Sequence, residues 1–169
     1  HIDAGRMTLD STLGESVTFD NPTDSLTINA GSGDDTINIT TVDGAYDAAL
    51  TIAGGTETDT VTLGAALALG DGAVTGNLSV TSETVNVNAN INTDAGDDAG
   101  TATLTGNVTL GADATIDTDH ATGTDAAILV TGTIDGGQTL TLNSGGGSTT
   151  LGGAIGGTTP LTSLTTDAG

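Results

Sequence analysis

The stretch "NAGSGDDTINI", Asn29 to Ile39, sets Gly31, Gly33 and Asp35 ahead of the apolar Ile37. The nine-residue calcium pattern G-G-x-G-x-D-x-U-x, with U apolar, asks for these residue types in this order. Ala30 to Asn38 meets it at Gly31, Gly33, Asp35 and Ile37 and departs at Ala30. Gly54 to Thr62 meets it at Gly54, Gly55, Asp59 and Val61 and departs at Glu57. A third acid, Glu83, follows Asp59 at the same interval of 24 residues. If successive units of that length stack, Asp35, Asp59 and Glu83 fall in one column. Like charges at that spacing repel unless water screens them, a proton neutralises them or a cation bridges them. Calcium, which accepts carboxylate and carbonyl oxygens at flexible geometry, would suit such a column, although no cofactor is required. A simpler reading stands beside it. The glycines then supply positive φ at a turn, the aspartates bond to their own backbone, and the exposed carboxylates splay into water.

Little other chemistry is legible. Arg6 is the single Lys or Arg of the chain, too few cations for a lyase that must hold an acidic sugar. Glycosidases need a paired acid and base in a cleft with aromatic platforms, and Phe19 and Tyr46 are the only such rings. His1 and His120 have no Cys or His companion at metal-ligand spacing, and His120 in "DTDHATGTD" reads as an exposed loop residue. Ser144 in "NSGGG" has no base near it in sequence. The expectation is a protein that is not an enzyme. Threonine runs such as "TDTVT" and "TATLT" could form ice-binding hydroxyl arrays, but they do not recur at one place in each unit. β-propensity and solubility account for them.

The elements that must position the acid column are short strands. Apolar residues recur at i and i+2 in "LTI", "TINI", "TVTL", "TVNV" and "LTL", separated by Gly, Asp, Asn and Ser, and nowhere at helical spacing. "TINI" begins at Thr36, "TVTL" at Thr60, "TVNV" at Thr84 and "NVTL" at Asn107, while "LTI" recurs at Leu26 and Leu50. A repeat of about 20–50 residues built from strands and turns is a solenoid or a propeller, and propeller blades are longer and richer in aromatics. The prediction is an all-β fold, a right-handed parallel β-helix (β-solenoid) of six or seven coils with roughly 24 residues each. Ile37, Val61, Val85 and Val108 form one interior file, and Ile39, Leu63, Val87 and Leu110 a second. In the secreted toxin-like repeats that carry the calcium nonapeptide, two units close a coil of about eighteen residues. The interval of 24 makes this a different roll, so that metal geometry does not transfer whole.

Composition sets the remaining bounds. The chain has 169 residues and a formal net charge of −21, a field that repels nucleic acid and anionic membrane and attracts cations. Acidic, aromatic-poor chains are often disordered, but 35% of residues are hydrophobic and lie in alternating runs, which favours order. No Cys is present, and no apolar stretch approaches the length of a membrane span. The opening "HIDAGRMTLD" holds no secretory signal and starts in mid-pattern, and the closing "LTTDAG" echoes its "IDAG". Residues 1–169 therefore read as a single solenoid segment of a longer repeat chain, or as a filament subunit. Neither end offers a visible cap, which points to head-to-tail continuation with adjacent repeats or identical subunits.

From Ala89 onward, "ANINTDAGDDAGTATLTGNVTLGADATIDTD" and "TIDGGQTLTLNSGGGSTTLGGAIGGTTPLTSLTTDAG" resemble the tandem repeats of large bacterial surface proteins, the filamentous-haemagglutinin-like adhesins. The most specific phrase is "GAIGGTTPLTSLTTDAG", Gly153 to Gly169; the N-terminal half shares the style only. The resemblance implies an extracellular or cell-surface fibre with a β-helical shaft and no catalytic residues. A polysaccharide-binding or polysaccharide-active β-helix is the alternative.

Overall fold

A computed structural model describes residues 6–10, 15–70, 74–95 and 98–167. The first two strands, β1 (Arg6–Asp10) and β2 (Ser16–Asp20), form an antiparallel hairpin with Met7 opposite Phe19. Everything after it is parallel. In chain order follow β3 (Ser25–Ser32), β4 (Thr36–Ile39), β5 (Ala49–Thr56), β6 (Thr60–Leu63), β7 (Leu67–Ala68) and β8 (Leu78–Val87). Then come β9 (Ile91–Asn92), β10 (Ala102–Leu110), β11 (Ala114–Asp117), β12 (Ile128–Val130), β13 (Ile134–Asp135), β14 (Thr139–Asn143), β15 (Thr149–Leu151) and β16 (Ser163–Thr166). No helix occurs among the described residues.

The strands stack as a β-solenoid of about six coils, each of roughly 24 residues, whose strands line up in three legs. The first leg is the ladder β3-β5-β8-β10-β12-β15. The second runs from β4 through β6, the later halves of β8 and β10, and β13. The third is β7-β9-β11-β14-β16. Alternation along each strand sends every second side chain inward, and the in-register pairing turns those side chains into files. Ile37, Val61, Val85 and Val108 pair in succession, as do Ile39, Leu63, Val87 and Leu110. Both predicted files are present. From the second coil onward their members are at most 3% exposed, so each is removed almost wholly from water.

The irregular step between Thr84 and Asn107 has a local cause. Between the first two legs the chain turns a corner, and that corner shortens along the stack. It spans residues 30–35 and 54–59 in the first two coils, Ser82 and Glu83 in the third, and Gly106 alone in the fourth. The single-residue corner needs glycine. Gly106 has φ 134°, and a Cβ there would lie 1.8 Å from the Ser82 carbonyl oxygen of the coil beneath.

One sequence expectation is overturned at the N-terminal end. The opening strand is not the start of a coil, and that end is covered. The hairpin lies over the first coil, with Met7 packed against the hydrophobic core. A partly open pocket of about 140 Å³ lies between them, lined by Met7, Phe19, Leu26, Ile39, Tyr46 and Leu50 among others. A short strand with alternating apolar residues reads alike in a hairpin or a coil, which is why the pattern misleads. The "IDAG" of the echo lies outside the described residues, as does the end of "TDAG". At the other end β15 and β16 pair on one side only among the described residues, and Ile155 (39%) and Leu164 (38%) are exposed.

Tyr46 closes the wall of the first coils. It is 4% exposed, its hydroxyl donates to the Ala49 carbonyl at 3.0 Å, and burial, aided by the Asp47 carboxylate, pushes its pKa up to about 12. Folded Tyr46 therefore stays neutral where the unfolded chain ionises. Its stabilising contribution is intact below about pH 10 and is lost as pH rises towards 12, amounting to roughly 2–3 kcal/mol. Denaturant unfolding across that window, with phenolate absorbance as the site probe, should show the loss, and Tyr46→Phe should remove it. At the tight corner, Gly106→Ala should cost about 3 kcal/mol by denaturant unfolding. Gly137→Ala, where a Cβ would meet open space, should change stability by less than about 0.5 kcal/mol.

Candidate functional site

The acid column lies at the corner between the first and second legs. In the first two coils the turn is built by Gly31 (φ 101°) and Gly33 (φ 118°), and then by Gly55 (φ 124°) and Glu57 (φ 86°). Glu57 stands 24 residues after Gly33 and adopts the same left-handed backbone, the only non-glycine among the described residues to do so. Its departure from the motif is thus one of side chain alone. The corner keeps its shape and carries the strain.

That shape turns the acids towards one another. The Asp35 backbone N–H donates to Asp59 Oδ1 at 2.9 Å, and the Asp59 N–H donates to Glu83 Oε2 at 3.0 Å. The three residues named by the sequence therefore do share one register, and each bond spans one coil. They do not converge as a cage. Among the described residues no three His, Cys, Asp or Glu side chains gather as a metal site. Glu83 is exposed, whereas Asp59 is 1% exposed and fills the space a Cβ on Gly54 would take. The simpler turn reading is amended too, because these carboxylates cap the backbone of a neighbouring coil rather than their own. Among the described residues, Asp43, Asn92 and Asp117 make the local bond to the N–H two residues on.

Capping across coils is the general use of Asp and Asn here. Asp34 accepts from the Thr58 N–H, Asn90 from Thr115, Asp98 from Thr124, Asp113 from Thr139, and Asp135 from Thr158 and Thr159. Asn77 and Asn107 each take both the N–H and the hydroxyl of Thr101 and Thr133. Sequence reasoning missed this ladder, although its signal is present: an Asp or Asn followed 24 to 26 residues later by Thr.

A second inward polar file, also missed, holds the corner between the third and first legs. Thr93, Thr118 and Ser144 are buried, and their hydroxyls donate to the carbonyls of Gly100, Ala126 and Gly147 across the loops that leave the stack. Ser144 also meets Thr149 Oγ1 at 3.0 Å and Asp167 Oδ1 at 3.4 Å, so its hydroxyl is engaged in closing a loop. His120 is half-buried rather than exposed. Its Nδ1 accepts the N–H groups of Thr122 and Gly123, and its own N–H donates to Asp125 at 2.9 Å. The N–H groups of Gly146 and His120 hold the Asp125 carboxyl below the usual carboxylate range. Arg6 pairs with Asp20 at 3.2 Å inside the hairpin. His1 lies outside the described residues.

Comparison with protein-family models, curated proteins and solved structures finds no match for this chain.

Relief of the strained corner is measurable. Glu57→Gly exchanges left-handed strain of about 1–2 kcal/mol for a smaller backbone-entropy cost. The variant should be more stable by roughly 0.5–1 kcal/mol in denaturant unfolding, with an unchanged far-ultraviolet spectrum.

Proposed function

We propose that the chain is a rigid structural segment of an extracellular bacterial surface adhesin or fibre of the filamentous-haemagglutinin-like kind, which continues head to tail with further coils. The observation that supports this reading most is the stack itself. Coils are joined by parallel in-register pairing, and the last one leaves Ile155 and Leu164 exposed, with outer edges on β15 and β16 that are unpaired among the described residues. Such edges are templates for another coil. Six coils at about 4.8 Å each form a spacer close to 30 Å long, to which each further copy would add the same length. At the other end, continuation requires the β1–β2 hairpin to leave the first coil, because it packs there through side chains and pairs with neither β3 nor β4.

The high negative charge suits this role by discouraging lateral clumping while axial pairing stays open. The carbohydrate-binding alternative has a weaker footing, since Tyr46 is buried and Phe19 is half-buried against the first coil, so that neither ring forms an exposed platform. Sedimentation and electron microscopy of the segment, with and without residues 1–20, test the stacking. Thin unbranched filaments that lengthen with concentration, more readily without the hairpin, are expected. A monodisperse monomer in both forms at high concentration would reject non-covalent stacking. Tight binding in a glycan screen, or turnover of an acidic polysaccharide, would reject the spacer reading itself.

A further inference from the structure

The corner between the first two coils contains an imbalance that the inter-coil ladder leaves unresolved. Asp59 is 1% exposed, and of its two carboxylate oxygens only Oδ1 is used, accepting the Asp35 N–H. Its Oδ2 is buried without a hydrogen-bond partner, and so is Oδ2 of Asp35 in the coil before. A buried carboxylate oxygen with no donor carries a large desolvation cost, and two in one register add mutual repulsion. Among the described residues no Lys or Arg is left to offset them. The chain has a single Lys or Arg, and that residue, Arg6, is paired with Asp20 in the hairpin. The backbone nevertheless makes room for the arrangement: a side chain on Gly54 would strike the Asp59 carboxylate, with a Cβ 2.6 Å from Oδ2.

We propose that Asp35 and Asp59 together bind one calcium ion at this buried corner, with Glu83 outside the site. Two hard, anionic oxygens offered by adjacent coils, beside a glycine-rich turn whose carbonyls and bound water can complete the shell, meet the requirements of calcium and not those of zinc. Glu83 is excluded on two grounds. Its side chain is exposed, and its Oε2 already accepts the Asp59 N–H. The ion neutralises the charge that the fold buries and ties the half-buried first coil to the fully buried second. It would therefore act as a staple at the end of the stack next to the hairpin.

The test uses the full chain, freed of metal with a chelator and then titrated with calcium chloride. Calorimetry should give one ion per chain. The melting temperature should rise by about 5–10 °C when free calcium reaches roughly a hundred times its dissociation constant. Asp59→Asn keeps an oxygen for the Asp35 N–H and removes the charge, and Asp35→Asn removes the other ligand. Each should abolish the calcium response and the calorimetric site, whereas Glu83→Gln should retain both. Three results would overturn the proposal. One is a wild-type melt insensitive to millimolar calcium. Another is a calcium response that survives both Asn variants, which would place the ion on the acidic surface. The third is stabilisation produced only by acidification, which would assign neutralisation of the pair to a proton. None of these outcomes bears on end-to-end stacking, which the filament assay reads separately.

Discussion

A coil of this protein satisfies its own backbone only by lying in register on another coil. Within a coil there is almost nothing to bond to, because the three legs run away from one another and meet only through inward side chains. The N–H and C=O groups of each leg point along the stack, and the neighbouring coil is their one source of partners. Where the legs are straight, backbone pairs with backbone. Where the chain turns, that exchange is interrupted, and Asp or Asn side chains of an adjacent coil supply the missing acceptors. Asp34 to Thr58, Asn77 to Thr101 and Asp113 to Thr139 are three instances at three corners. The acidic composition is thus partly a consequence of the fold's need for acceptors. Lysine and arginine, which only donate, could not take these places.

The same constraint decides what the sequence makes legible. A repeat that must pair with itself writes its period into the chain, so the files through Val61 and Leu63 could be read from alternation and spacing alone. The corners were harder. The bond that the Asp35 N–H donates to the Asp59 carboxylate links residues 24 apart, and turn rules based on a few neighbouring residues have no place for it. Glu57 reads as a break in a glycine motif, yet stacking on Gly33 obliges it to follow the same left-handed path. Nothing in the local sequence sets Gly106 apart from the other turn glycines. Its significance appears only against the Ser82 carbonyl beneath it. Of the candidate metal ligands, the shared register could be read, but not the division between a buried pair and an exposed third acid.

Burial is uneven along the axis. Ile37 and Ile39 of the first coil are half-buried, whereas Val61, Leu63 and Val85 are fully buried, as are Ile116, Ile134 and Leu142 further along. An end coil has a neighbour on one side only, so its apolar files recover about half of what an interior coil gains. The hairpin mends part of that deficit at one end with Met7 and Phe19, leaving a small cavity where the fit is incomplete. Stability in such a stack is close to a sum over coils and the junctions between them. The terminal junctions are the weakest terms.

Because the inter-coil hydrogen bonds run along the axis of the stack, they lie in line with any force applied between its ends. Strands sheared past one another share a load over many bonds at once. Coils pulled apart along their stacking direction hand it from rung to rung, the next opening only after the last has gone. A chain tethered through its two ends would lengthen in steps, each releasing one coil of about 24 residues, and would re-form by the same path when the tension fell. A segment built this way would yield to tension by increments, each opened coil leaving the remaining rungs paired.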